Sequence, residues 1–391
     1  MANTAPIPLG PQPTVALGCV GGFFPAGLLR EATDAGYSPV LQHHLLAEPG
    51  SSEDGPREML AGTMRAIANA GHDARWGAGC TVSTTEEAAL FATAGFTWFT
   101  FELAELIDGR AGAMSLDELD AAVVALEDAG CYPRGWHEAY LGREWQAGTG
   151  AVLRFGDEAL ARMAVKFARA FAQAEQLLQA VRTLWVGHGQ GPDIELCFAA
   201  RRVAMNAGEF LFVASESARR GIHPASIAPS FGPAWQPGAE FALENCDVHQ
   251  MIAPVLDVAA LRGSLKVGVH FAGGKAGLLS AVRSLGERLH VNCEEAAWMH
   301  SLGDLADTQP ELFRQWLGHA QELFPFALGD KPLSITEGDI HALPQVPDTE
   351  LRATFLGHSQ GRQLLVATFL AVLRRDRTLR DALRSASAAR A

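Results

Sequence analysis

Cysteine is scarce and unpatterned. The six residues (Cys19, Cys80, Cys131, Cys197, Cys246 and Cys293) include no CxxC pair, which argues against a disulfide scaffold and reads as buried thiols in a reducing compartment. Basic charge is in deficit, with 31 Lys and Arg against 44 Asp and Glu, a net charge of −13 and a pI near 5.5. A nucleic-acid partner, which would need a basic stripe, is not expected. No apolar run is long enough for a membrane span; the longest, Leu364 to Leu373, is interrupted by Thr368. Met1 to Pro13 lacks the basic start and apolar segment of a signal peptide and reads as a flexible tail. A cytoplasmic protein is expected. HExxH, HxH and a recognisable Ser-His-Asp set are also missing. Leu17 to Gly22 is glycine-rich but lacks GxGxxG spacing and is followed by no GK[ST], so it reads as a tight turn rather than a nucleotide loop.

What is present is a large supply of core. Hydrophobic residues make up 48% of the 391 residues, and the mean hydropathy is +0.06. The chain alternates short β-prone runs with amphipathic helices. Strands are expected near residues 14, 38, 76, 96, 193, 224, 266 and 333, with helices between them, including an uninterrupted one over Asp157 to Leu184. Eight such units favour a (β/α)8 TIM-type barrel with helical insertions, a doubly wound sheet being the alternative. The expected organisation is a tail over 1–13, one barrel domain over 14–375 and a C-terminal tail over 376–391.

Asp193 to Phe231 carries the clearest βαβ pattern, and Glu209 opens its helix. That carboxylate is either chemical or a surface acid complementing the helix dipole. His43 and His44 are adjacent, so in a strand they face opposite sides and cannot share an ion. His270 ends the seventh expected strand, where barrels keep their active sites. Gly273, Gly274 and Lys275 follow it, a turn that could hold a phosphate or carboxylate at a helix N-terminus or serve only as a tight βα connection.

Several stretches together resemble the tagaturonate/fructuronate epimerase family. They are the block from Asn206 to Glu240, with Ala228-Pro229-Ser230-Phe231 at its strand end; Val269 to Ala272 with the following Leu278 to Val282; Gly361 to Leu365; and the glycine- and phenylalanine-bearing turn Gly18 to Leu28. The resemblance covers most of the chain in order. It implies a metal-dependent barrel that interconverts epimeric keto sugar acids, with Mn, Ni or Zn as the cofactor, and it leaves open a homo-oligomer. On the matching positions it implies Glu209 as acid/base and His270 as a metal ligand. Lys275 is the second catalytic candidate, Cys80 and His249 are further ligand candidates, and Arg219, Gly273, Gly274, Arg362 and Gln363 are candidates for holding the substrate. Glu195 and Asp247 are other carboxylates within reach of a ligand set.

The chemistry implied explains the metal. The stereocentre inverted in these substrates lies one carbon beyond the position that the ketone activates, so a retro-aldol or related enolate route is needed. A cation on the ketone and hydroxyl oxygens would hold the developing charge. This chain departs from the family at expected ligand positions: Gly77 to Cys80, Ala199, Arg202, Ser230, Ser334 and Val366 stand where acidic, basic or histidine residues are expected. Three readings follow: a diverged sugar-acid epimerase, an isomerase or aldolase-type enzyme using Lys266 or Lys275 as a Schiff base, and a non-catalytic sugar-acid-binding barrel.

Overall fold

In the computed structural model, residues 5–19, 24, 26–45, 55–187, 189, 191–199, 204–232, 235, 248–271, 286, 288–328 and 346–388 are described. Eight parallel strands close into a barrel: β1 (Thr14–Gly18), β2 (Ser38–His43), β3 (Gly77–Val82), β4 (Trp98–Glu102), β7 (Asp193–Cys197), β8 (Ser226–Ala228), β9 (Lys266–Val269) and β10 (Leu289–Asn292). The short antiparallel pair β5 (Trp145–Gln146) and β6 (Val152–Leu153) stands apart from it. The barrel expectation holds, with one substitution of parts. The eighth strand is Leu289–Asn292 and not Leu333 to Thr336, which lies outside the described residues.

Strand composition follows from the two faces. Val15, Leu17, Leu41, Phe99, Phe101, Leu196, Ile227, Val267, Val269 and Val291 point outward and join one apolar core with the surrounding helices. The lumenal positions between them are polar or small. Helices are started by reciprocal side-chain caps: Thr84 with Glu87 for α3 (Thr85–Ala94), Ser115 with Glu118 for α4 (Leu116–Asp128), and Asn206 with Glu209 for α6 (Ala207–Arg219). Among the described residues, the other barrel helices before β10 are α1 (Ala26–Asp34), α2 (Pro56–Asn69), α5 (Asp157–Leu184) and α7 (Val248–Ala260). Between β4 and β7 the chain inserts α4 and the β5–β6 hairpin before α5 packs against both α3 and α4.

Both ends of the chain differ from the loose tails that composition suggests. Ile7 N–H donates to Trp76 O at 3.0 Å. Leu9 is buried in the barrel floor beside Ala16, Val40 and Trp98, and its N–H donates to Asp193 Oδ2 at 2.7 Å. At the other end, α8 (Glu294–Thr308) returns onto β1, and α9 (Pro310–Leu328), α10 (Leu351–Gly357), α11 (Ser359–Arg375) and α12 (Arg377–Ala388) build a second apolar core beside the barrel. Leu379, Leu383 and Ala386 of α12 are buried in it, so this stretch is a packed helix. Its 3.6-residue apolar repeat is carried by few large side chains among arginines and serines, which hides it in composition. No helix among the described residues is long and apolar enough to cross a membrane.

Candidate metal and catalytic site

The lumen is built from alternate residues of each strand. Register places Thr100 of β4 beside Glu195 of β7, and Glu195 beside Ser226 of β8. Their side chains meet inside: Glu195 Oε2 accepts from Thr100 Oγ1 at 3.0 Å, and Oε1 accepts from Ser226 Oγ at 2.9 Å. Gly268 of β9 is what admits the carboxylate, because a Cβ there would lie 2.5 Å from Glu195 Oε1 and 2.6 Å from Ala228 Cβ. Two residues on, His270 Nε2 lies 2.9 Å from Glu195 Oε2, and its Nδ1 lies 3.7 Å from Cys197 Sγ. The following residue, Phe271, has φ 57°, the one non-glycine positive φ among the described residues, and it turns the chain sharply once His270 is placed. From β10, His290 brings its Nε2 to 3.9 Å from Glu195 Oε2.

Glu195, His270 and His290 are all buried, and their ligand atoms lie within 4.8 Å of one another. Burial by itself would raise the Glu195 pKa. The two imidazoles and the hydrogen bonds from His270 and Ser226 outweigh it and hold the carboxyl at about 2. For His270 burial works against the charge, but Cys197 and the Glu195 carboxylate hold its pKa well above the usual histidine value. Burial lowers His290 to about 3, so its ring is neutral at neutral pH. Its Nδ1 lies 2.8 Å from Thr14 Oγ1, and its buried Nε2 has no hydrogen-bond partner among the described residues. A neutral imidazole with a free buried nitrogen beside a carboxylate and a second imidazole is the donor set of a two-histidine, one-carboxylate metal site.

A second polar group stands on the same side of the lumen, one step nearer the open C-terminal end. Asn292, two residues beyond His290 on β10, donates from Nδ2 to Glu294 Oε1 at 2.6 Å. Glu294 Oε2 lies 2.5 Å from His44 Nε2, just past β2. Burial disfavours the Glu294 charge, but His44 and Asn292 lower its pKa below the ordinary value. The Nδ1 of His44 has no hydrogen-bond partner among the described residues, and the ring is held edge-on by Trp298 at 5.9 Å. Gly18, at the end of β1, makes room for this corner; a Cβ there would lie 2.5 Å from the Trp298 indole nitrogen. His43 faces outward to Thr63, as the strand alternation requires.

Of the residues singled out from sequence, His270 and Glu195 come together here. Cys80 does not: it alternates with the lumenal Gly79, points outward, donates to Trp98 O at 3.6 Å, and has its thiol pKa pushed well up by burial. Glu209 stands at the α6 N-terminus, its Oε2 accepting from Asn206 N–H at 3.2 Å and its Oε1 paired with Lys166 Nζ at 2.5 Å. Glu209→Gln is therefore expected to weaken the cap and the ion pair, lowering stability by about 1 kcal/mol in thermal unfolding. Arg219 lies at the far end of that helix, away from the barrel mouth, bound to the buried Glu216 together with Arg220 and Tyr140. Arg362 and Gln363 belong to α11 of the helical extension, where Arg362 Nη1 donates to Leu356 O at 2.9 Å. Lys266 is at the closed end of the lumen with its amine fully engaged, which removes it as a Schiff-base lysine for a substrate entering at the mouth. Gly273, Gly274, Lys275, Asp247 and the side chain of His249 lie outside the described residues. His290 was not foreseen from sequence. The alternation Leu289-His290-Val291-Asn292 was the available signal, and it is only one strand long.

Comparison with known proteins agrees with this architecture. A profile described as UxaE, tagaturonate epimerase, matches residues 1–386. The chain belongs to the tagaturonate epimerase family. Its fold is similar to that of the fructuronate-tagaturonate epimerase UxaE from Cohnella laeviribosi. The two-glycerol complex of that protein aligns at a TM-score of 0.78 and 22% identity over 98% of this chain and 81% of that one. Its native crystal structure aligns at 0.77 with the same identity and coverage. No curated protein matches the chain.

Proposed function

We propose that this protein is a divalent-metal-dependent sugar-acid epimerase that interconverts keto-hexuronates of the tagaturonate and fructuronate type at the C-terminal mouth of its barrel. The observation that carries the reading is the buried Glu195, His270 and His290 cluster, with the free His290 Nε2 among its donors. Membership of the family supports the substrate class. These three side chains would hold the ion, and Mn, Ni or Zn each accept such a nitrogen and oxygen set. Bound there, the ion would supply positive charge to the ketone and hydroxyl oxygens of the substrate.

The chain's own residues supply the proton transfers. His44, oriented by the Glu294 carboxylate, is the general base, with Nδ1 available for the substrate hydroxyl at the carbon to be inverted. Removing that proton lets the bond to the neighbouring carbon break, its electron pair moving to the carbon beside the ketone, while the inverted carbon becomes an aldehyde. Re-addition to the opposite face of that aldehyde, with the proton returned by His44, gives the epimer and leaves atoms and electrons balanced. Thr100 and Ser226 fix Glu195, and the apolar outer faces of the strands keep the lumen rigid.

The test is an NMR assay of tagaturonate and fructuronate with added manganese, nickel or zinc, and with a chelator. Metal-dependent interconversion that stops on chelation is expected. No turnover with any of the three metals would overturn the proposal.

A further inference from the structure

We infer that Lys266, at the closed end of the lumen, is a positioning residue for the proposed metal site: with Thr14 and Trp98 it fixes the ring of His290 so that Nε2 faces Glu195. The inference rests on the metal reading above.

Lys266 is the first residue of β9 and is fully buried. An ammonium has three N–H donors. Here they go to Gly10 O at 2.8 Å, Gln12 O at 3.1 Å and Thr14 Oγ1 at 3.3 Å. The acceptors come from alternate residues, so one stretch of the N-terminal segment presents all three oxygens on one side. That segment is held in turn by Asp193, whose carboxylate accepts from the N–H groups of Leu9 and Gly10. Among the described residues no carboxylate is hydrogen-bonded to the amine, and Asp193 and Glu195 act on it only through space.

Two routes lead from the amine to His290. Thr14 Oγ1, which accepts from Lys266, lies 2.8 Å from His290 Nδ1. Lys266 Nζ also sits 4.6 Å from the centre of the Trp98 ring, and Trp98 stacks on His290 at 4.3 Å with 25° between the planes. The imidazole is thus gripped at one nitrogen and across one face, which leaves Nε2 as its working atom.

A floor with only a structural task would need no ammonium. Leu9, Ala16 and Val40 already close it with apolar side chains, and burying an ammonium carries a desolvation cost that the Asp193 and Glu195 carboxylates, neither of them hydrogen-bonded to it, offset only in part. Partners that hold a ligating histidine are worth about 10- to 100-fold in metal affinity.

The experiment is calorimetric titration of the full chain with Ni²⁺, comparing wild type with Thr14→Val, Thr14→Ser and Lys266→Met. Thr14→Val and Lys266→Met are expected to bind Ni²⁺ about tenfold or more weakly. Thr14→Ser, which keeps the hydroxyl, is expected to stay within about twofold of wild type, a rescue that loss of packing alone would not produce. Equal affinity for Thr14→Val, Lys266→Met and wild type overturns the inference while leaving the metal site intact. Failure of the wild type to take up Ni²⁺ overturns the metal reading itself and the inference with it. Should Lys266→Met not fold, the Thr14 pair decides the matter.

Discussion

Glu195→Gln should leave a folded barrel with no measurable metal-dependent epimerisation. The amide has the size and shape of the carboxylate and can still accept one of the hydrogen bonds from Thr100 and Ser226. It cannot supply the charge that, together with Cys197, holds the His270 pKa well above its usual value, nor an anionic ligand oxygen. Groups that merely orient a ligand are worth about 10- to 100-fold, so removal of the ligand charge itself should lower kcat/KM by more than about a hundredfold. Metal uptake by titration should fall in parallel. Stability should drop by only about 1–3 kcal/mol, because the buried donors around residue 195 become partly unsatisfied. A variant that keeps both turnover and metal affinity would mean that the cluster serves the fold alone.

Gly268→Ala should damage the same site by crowding. The added Cβ would meet the Glu195 carboxylate on one side and Ala228 on the other, including Ala228 Cα at 2.9 Å. Ala228 belongs to the neighbouring strand, so its backbone cannot yield without disturbing the β8–β9 pairing. The carboxylate is therefore displaced, and the overpacking costs about 1–3 kcal/mol. Expected results are a lower melting temperature and loss of metal-dependent turnover from one added methyl group. Gly27→Ala, where nothing lies within 4 Å, is the control and should be close to neutral. Wild-type stability and activity in Gly268→Ala would contradict the tight fit described for the lumen.

Much of the barrel was legible because outward-facing positions carry apolar, β-prone runs and the intervening helices have clear starts. The strand at Leu289–Asn292 was not. Four residues with two polar lumenal side chains resemble a loop as much as a strand, and only closure of the sheet with β1 and β9 gives them their role. His270 could be placed from its position at a strand end. Glu195 could be named only as one carboxylate among several, since its importance depends on Thr100, Ser226 and His270, contributed by three other segments. The Asn206-x-x-Glu209 spacing that marks Glu209 in the sequence forms a capping box at the helix start, a structural cause of its own for a carboxylate there. Cys80 falls on the outer face of β3, and sequence gives the alternation of a strand but not which of its two faces is the lumen.

Helix α8 belongs to two cores at once. Its first residue, Glu294, orients His44 at the mouth, while Trp298, one turn later, stacks on Phe369 of α11 at 4.7 Å with 7° between the rings. Arg374, near the end of α11, also reaches back to Leu45 O beyond β2. The helical extension therefore supports the corner of the barrel mouth that holds His44, the proposed general base, and is not an appendage to it. A minimal version of this enzyme cannot be made by trimming to the eight strands and their helices. Changes deep in the extension, at Phe369 or its neighbours, would reach the active site as altered placement of a single imidazole.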